Sequence, residues 1–161
     1  MNANFNVNKR KKELIRENID AVPIAKRGRR LAGVSLSVIA GLRIFLLIFE
    51  LIYSAAVSYS GSVIPHVLIL PYLLILYMVY DGNKSLVYIG MISAPVRLVY
   101  HFSTVLPMLP GDNITALTVV SLIVLFAQFI LSVFMAFSTR CDVYFSGMQK
   151  VNLKLRSEMI K

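Results

Sequence analysis

Two arginines, a glutamate, a histidine and a glutamine stand inside otherwise apolar stretches of this chain, at Arg43, Arg97, Glu50, His101 and Gln128. Ionisable groups cost free energy against hydrocarbon and therefore mark a candidate polar interior. Arg43 and Glu50 share a helical face but lie two turns apart, about 10 Å along the axis. Each is therefore expected to pair across helices. At about 100° per residue, Gly90, Ser93, Ala94, Arg97, His101 and Thr104 fall within about one third of a helix circumference. Ile92, Val99, Phe102 and Leu106 occupy the remainder. Gln128 shares a face with Ser121 and Ser132.

Placed by depth, these positions describe a polar core, deepest at Arg43, Arg97 and Gln128, that opens past Glu50, His101 and the outer-side His66. Two arginines against one glutamate leave it net positive, which suits a small anion or an acidic partner. A buried network that only orders the helices is the plainer reading, since arginine can also reach toward water along its own stem. His66, His101 and Glu50 are the residue types of a zinc site but lack motif spacing, so no metal and no cofactor is expected. Neither HExxH, GxSxG, Walker A nor a Rossmann fingerprint occurs, and no catalytic residue is nominated. The lone Cys141 offers neither a disulfide framework nor a cysteine-based metal site.

The elements that would position these groups follow from hydropathy. The 161 residues are 57% hydrophobic, well above the apolar share of a soluble domain. Crossing about 30 Å of hydrocarbon takes roughly 20 apolar residues. Four stretches qualify, at about 31–59, 62–80, 85–106 and 114–138. Their connectors carry Gly, Pro, Asn and Asp and are short, which makes successive helices antiparallel neighbours. The expected fold is all-α: a four-helix transmembrane bundle over 31–138, a basic cytoplasmic segment over 1–30, and an amphipathic cytoplasmic helix over 139–161. The third stretch, with Pro95, Arg97 and His101, is near break-even for insertion and needs its neighbours.

Charge sets the orientation. Lys26, Arg27, Arg29 and Arg30 precede the first stretch, Lys84 follows the second and Arg140 follows the fourth, while the other two connectors hold no Lys or Arg. Four crossings put all of these flanking charges on one side, with both termini cytoplasmic, in the plasma (inner) membrane. Residues 1–30 hold nine basic and three acidic residues. Lys26, Arg27, Arg29 and Arg30 are accordingly read as contacts for anionic lipid headgroups, and no nucleic-acid partner is expected.

Tyr144, Met148, Val151, Leu155 and Met159 recur at helical spacing, and the apolar face they form is expected to lie in the membrane interface, with docking against a partner as the alternative. Leu14, Ile15 and Ile19 make a weaker face of the same kind. Gly33, Ser37 and Gly41 form a small-residue ladder suited to close helix approach, within the first hairpin or in a homo-oligomer. The leading functional expectation is a small, multi-pass, non-enzymatic accessory or assembly subunit that meets a partner membrane protein. The rivals are an oligomeric channel or carrier for a small anion and, behind it, an intramembrane enzyme.

Overall fold

The computed structural model describes residues 6–56, 69–100, 103 and 114–160, and these are helical apart from short turns. Helix α1 is Val7–Ile15, started by Asn6, whose side chain accepts from the Lys9 N–H at 3.0 Å. It runs into a wider turn over Arg16–Asp20, where the Ala21 N–H reaches back five residues to the Arg16 carbonyl at 3.1 Å. The remaining helices are α2 (Pro23–Ala56), α3 (Ile69–Tyr80), α4 (Ser85–Tyr100), α5 (Ile114–Phe137) and α6 (Thr139–Ile160). Pro23 at the first position of α2 is pre-set for a helix start and forfeits no intrahelical hydrogen bond.

Within α2 and α5, the stretches Pro23–Ile52 and Thr118–Phe137 are long and apolar enough to cross a membrane, each holding an 18-residue portion of mean hydropathy 2.2 and 2.6 respectively. Helix α3 is apolar but only 12 residues long as described. Helix α4 has 16 residues and contains both Pro95 and Arg97. The expected ends of the first three stretches, and the whole of two connectors, fall in 57–68, 101–102 and 104–113, outside the described residues. Helix α2 starts eight residues before the expected boundary at residue 31, so the basic run Lys26–Arg30 is its first turns rather than an extended lead-in.

Helices α2, α3, α4 and α5 each pack against two others, closing a ring in that order. The turn between α3 and α4 is tight: Gly82 adopts φ +103°, the left-handed region a side chain resists. A Cβ there would also lie 2.6 Å from the Met148 Cβ, so this turn seats directly on α6. Ser138 joins α5 to α6 and keeps the helical ladder going, donating to the Phe134 carbonyl at 3.0 Å and accepting from the Asp142 N–H at 2.9 Å.

The chain from Arg10 to Gly28 then runs antiparallel along α6. Arg10 grips Glu158 with two nitrogens, at 2.8 and 2.9 Å. Leu14 packs with Val151 and Leu155, Ile19 lies over Gly147, and Gly28 meets the Arg140 carbonyl. Lys11 pairs with Asp81 at 2.5 Å, and Asn152 donates to the Asp81 carbonyl at 2.8 Å. This places the apolar face of α6 differently from the sequence expectation. Tyr144, Met148, Val151 and Leu155 are buried, together with Cys141 and Phe145, against the chain's own α1 and α2. Only Met159 of that face stays exposed. Periodicity revealed a face needing cover, and the cover is the Leu14–Ile19 face together with the first turns of α2 and the Gly82 turn, rather than a lipid interface.

Leu14 is fully buried in this contact. Leu14→Ala is expected to cost about 2–5 kcal/mol and to loosen α1. Limited proteolysis should then cut within residues 7–20 well before the rest of the chain, and an unchanged cleavage pattern would show that the ion pairs alone hold α1.

Tyr144 gives the same layer a pH response. Its hydroxyl donates to the Tyr80 carbonyl at 2.5 Å. Burial, then the neighbouring Tyr80 and Asp81, push the phenol upward against the opposing pull of Arg29. A phenol harder to ionise in the folded state contributes stability that is fully present below about pH 10 and falls away as pH rises further. Tyr144→Phe is expected to lose less of its unfolding temperature than the wild type between pH 8 and pH 11.

Candidate functional site

Contacts along the helices set the level of the polar side chains. Gly28 meets Arg140 and Gly90 meets Ser132, where a Cβ would lie 3.3 Å from the hydroxyl oxygen. At 1.5 Å per residue, Arg43 is about 22 Å beyond Gly28, and the same distance back from Arg140 reaches Leu125. Arg97 is about 10 Å beyond Gly90, and the same distance back from Ser132 also reaches Leu125. Arg43 and Arg97 therefore stand at one level, flanked along α5 by Gln128 about one turn to one side and Ser121 about one turn to the other.

Arg43 is 5% exposed. Its guanidinium carbon lies 4.9 Å from the centre of the Tyr72 ring on α3, a cation over an aromatic face. Nε and Nη1 of Arg43 are buried with no hydrogen-bond acceptor among the described residues. The face of the aromatic ring attracts the charge but cannot accept those two N–H bonds in their plane.

Arg97 and Glu50 bridge α4 and α2, with Nη2 to Oε2 at 3.9 Å and side chains 33% and 21% exposed. This is a charge contact longer than a hydrogen bond, at the rim of the ring rather than inside it. Arg97 thus has a carboxylate at hand, and the excess positive charge sits on Arg43.

Gln128 is 1% exposed, and both its amide nitrogen and its carbonyl oxygen are buried without a partner among the described residues. The Ser121 hydroxyl and the half-buried Thr118 hydroxyl share that condition. Ser132 is buried on the same side of α5, and Ser93 of α4 donates to the Gly90 carbonyl at 3.0 Å. A buried polar group without a partner costs about 1–3 kcal/mol, more if charged. A guanidinium, an amide and a hydroxyl in this state, within about one turn of a common level, leave both donors and acceptors unmet, with the guanidinium able only to donate.

Between these groups and the polar end lies a cavity of about 110 Å³, bounded by Leu36, Ile39, Tyr72, Val87, Ser93 and Ser132 among others. It holds a few waters at most. His66 and His101 lie outside the described residues, so the outer part of the expected polar path is not placed. Among the described residues no three His, Cys, Asp or Glu side chains gather as metal ligands would.

The basic group divides. Lys26, Arg29 and Arg30 line a groove on the outside of α2, while Arg27 is exposed elsewhere on that helix. Arg29 reaches Asp20 at 3.1 and 3.2 Å and donates to the Tyr80 hydroxyl at 3.2 Å. No carboxylate pairs with Lys26 or Arg30 among the described residues. The small-residue ladder also faces outward: Ser37 and Gly41 are exposed, a Cβ on Gly41 would meet nothing within 4 Å, and Gly33 approaches only the Tyr80 ring, at 3.6 Å. The helix approach expected of that ladder is made instead at Gly28.

Tyr72 escaped sequence reasoning because it sits in an uninterrupted apolar run where nothing distinguishes a core ring from a lipid-facing one. Gly28 carried a signal, a costly helix-interior glycine among four basic residues.

The described chain is an all-helical protein with two helices apolar enough to cross a membrane. Comparison with protein-family models, with curated proteins and with solved structures finds no match.

Proposed function

We propose that this chain is a four-span integral membrane protein of the plasma (inner) membrane, with both termini cytoplasmic. It acts without enzymatic chemistry, as an accessory or assembly subunit. The observation that carries the role is Arg43, whose buried guanidinium keeps two nitrogens without an acceptor among the described residues. A charge in that condition is strongly unfavourable unless an acceptor beyond the described residues completes it, and we place that acceptor on a partner. An acidic side chain on a partner's membrane helix, approaching where Arg97 and Glu50 are partly exposed, supplies the missing acceptor.

The topology draws support from the way charges collect. Gly28 against Arg140, Arg29 with Tyr80 and Lys84 with Asp142 put the basic flanks of α2, α3 and α5 at one end of the ring. Residues 57–68 and 104–113, which join the other ends, hold no Lys or Arg. That asymmetry is the positive-inside pattern.

The second reading, an oligomeric carrier for a small anion, is favoured by the donors on Gln128, Ser121 and Arg43 that find no partner among the described residues. Against it, the interior cavity is about 110 Å³, well short of the several hundred Å³ usual for a ligand pocket. Two measurements separate the readings: the intact mass of the gently extracted protein, and chloride flux in liposomes containing the purified chain alone. A stoichiometric partner retained by the wild type and lost from Arg43→Met, with no flux, supports the accessory role. Flux abolished by Arg43→Met without any partner replaces it with the carrier.

A further inference from the structure

The groove on the outside of α2 has a volume of 680 Å³ and changes character along its length. Its mouth carries Lys26, Arg29 and Arg30 against a single acid, Asp20, which Arg29 already engages. Below the mouth the floor is Gly33 and Ser37, flanked by Val34 and Val38, and Gly41 continues the same face one turn further. The two valines are exposed, and nothing lies within 4 Å of where a Gly41 Cβ would be. Cations at one end and a smooth apolar channel at the other match an amphiphile with an anionic head.

The length matches as well. From Arg30 to Gly41 the helix rises about 16 Å, close to the roughly 15 Å depth of one leaflet. Resting on the membrane reading above, we infer that this groove is a binding site for one anionic phospholipid. The phosphate sits between Lys26 and Arg30, and one acyl chain lies along Gly33, Ser37 and Gly41. Arg29, held by Asp20 and the Tyr80 hydroxyl, forms the fixed wall of the headgroup site. Lys26 and Arg30, which no carboxylate engages among the described residues, close on the phosphate. A headgroup without an ammonium is preferred, because a choline would crowd the three cations. The small-residue ladder thereby has an occupant: side chains larger than Gly or Ser would fill the channel the acyl chain needs.

The test reconstitutes the full chain in nanodiscs of pure phosphatidylcholine and of phosphatidylcholine with one fifth phosphatidylglycerol, then counts lipids retained per chain by native mass measurement. The wild type is expected to keep one phosphatidylglycerol per chain. The Lys26→Ala/Arg30→Ala double variant should lose it roughly 30-fold, the effect of two juxtamembrane charges. Ser37→Phe should lose it by blocking the channel with the charges intact, and Arg27→Ala should keep it. Equal loss in Arg27→Ala would reduce the effect to diffuse surface charge and overturn the site. Retention in Ser37→Phe, displacement by millimolar inorganic phosphate, or a dimer mass with no lipid would each overturn it too, the last in favour of a second copy. A chain that enters phosphatidylcholine discs and keeps no phosphatidylglycerol refutes the groove alone. A chain that enters neither disc refutes the membrane reading and the groove together.

Discussion

Arg43→Met is expected to raise the unfolding temperature while removing the partner proposed for the wild type. Methionine keeps the unbranched apolar stem of arginine out to about the position of Nε, and it brings no donors into a site with no acceptor for two of them among the described residues. Replacing a buried, incompletely compensated charge by a well-packed apolar side chain is often stabilising by about 1–4 kcal/mol. For a chain of this size each kcal/mol corresponds to roughly 2–4 °C. The loss of cation–π attraction to Tyr72, about 1–2 kcal/mol when desolvated, works the other way and sets the lower end of the gain. A thermal scan of the two purified proteins in the same detergent reads the effect directly. Should Arg43→Met unfold at a lower temperature, the guanidinium is already satisfied inside the chain and the case for an external acceptor fails.

The second large effect comes from one methyl group. Gly28 packs so closely on α6 that a Cβ would stand 1.9 Å from the Arg140 carbonyl oxygen and 2.6 Å from its carbon. Both are backbone atoms and cannot swing aside as a side-chain tip can. Gly28→Ala must therefore push α2 and α6 apart by about 1 Å or more, disturbing Tyr144, Cys141 and Ala25 in the adjoining core. The cost is expected at or above the roughly 1–3 kcal/mol typical of an overpacked interior, seen as a depressed unfolding temperature and low recovery of folded protein. Gly41→Ala is the internal control. With open space around it, the same change should be neutral or gain up to about 1 kcal/mol from helix propensity. Equal behaviour of the two variants would mean that α2 and α6 are not in contact at Gly28.

The helices at the polar end were legible because their determinants are local. Asp81 to Lys84 reads as a turn, and the structure turns there through the positive φ of Gly82. The Tyr144–Leu155 face reads as helical and is buried as one surface. Leu14 and Ile19 likewise gave themselves away by spacing. The sequence could not say that these two faces cover each other, because periodicity reports that a surface must be hidden and not what hides it. Nor could it say that Arg97 meets Glu50 while Arg43 turns to Tyr72, since three helices converge on that level and small rotations decide which groups touch. The groove at Lys26 and Arg30 was visible as charge; its apolar channel required knowing that the small-residue ladder faces outward.

The clasp between Arg10 and Glu158 joins positions 148 residues apart. During synthesis at about 5–20 residues per second, the face formed by Leu14 and Ile19 leaves the ribosome on the order of ten seconds before the surface that will cover it. All the apolar stretches between them must be dealt with first. Helix α1 is thus made well before the surface it seats against, and its seating reports that the chain between them has folded.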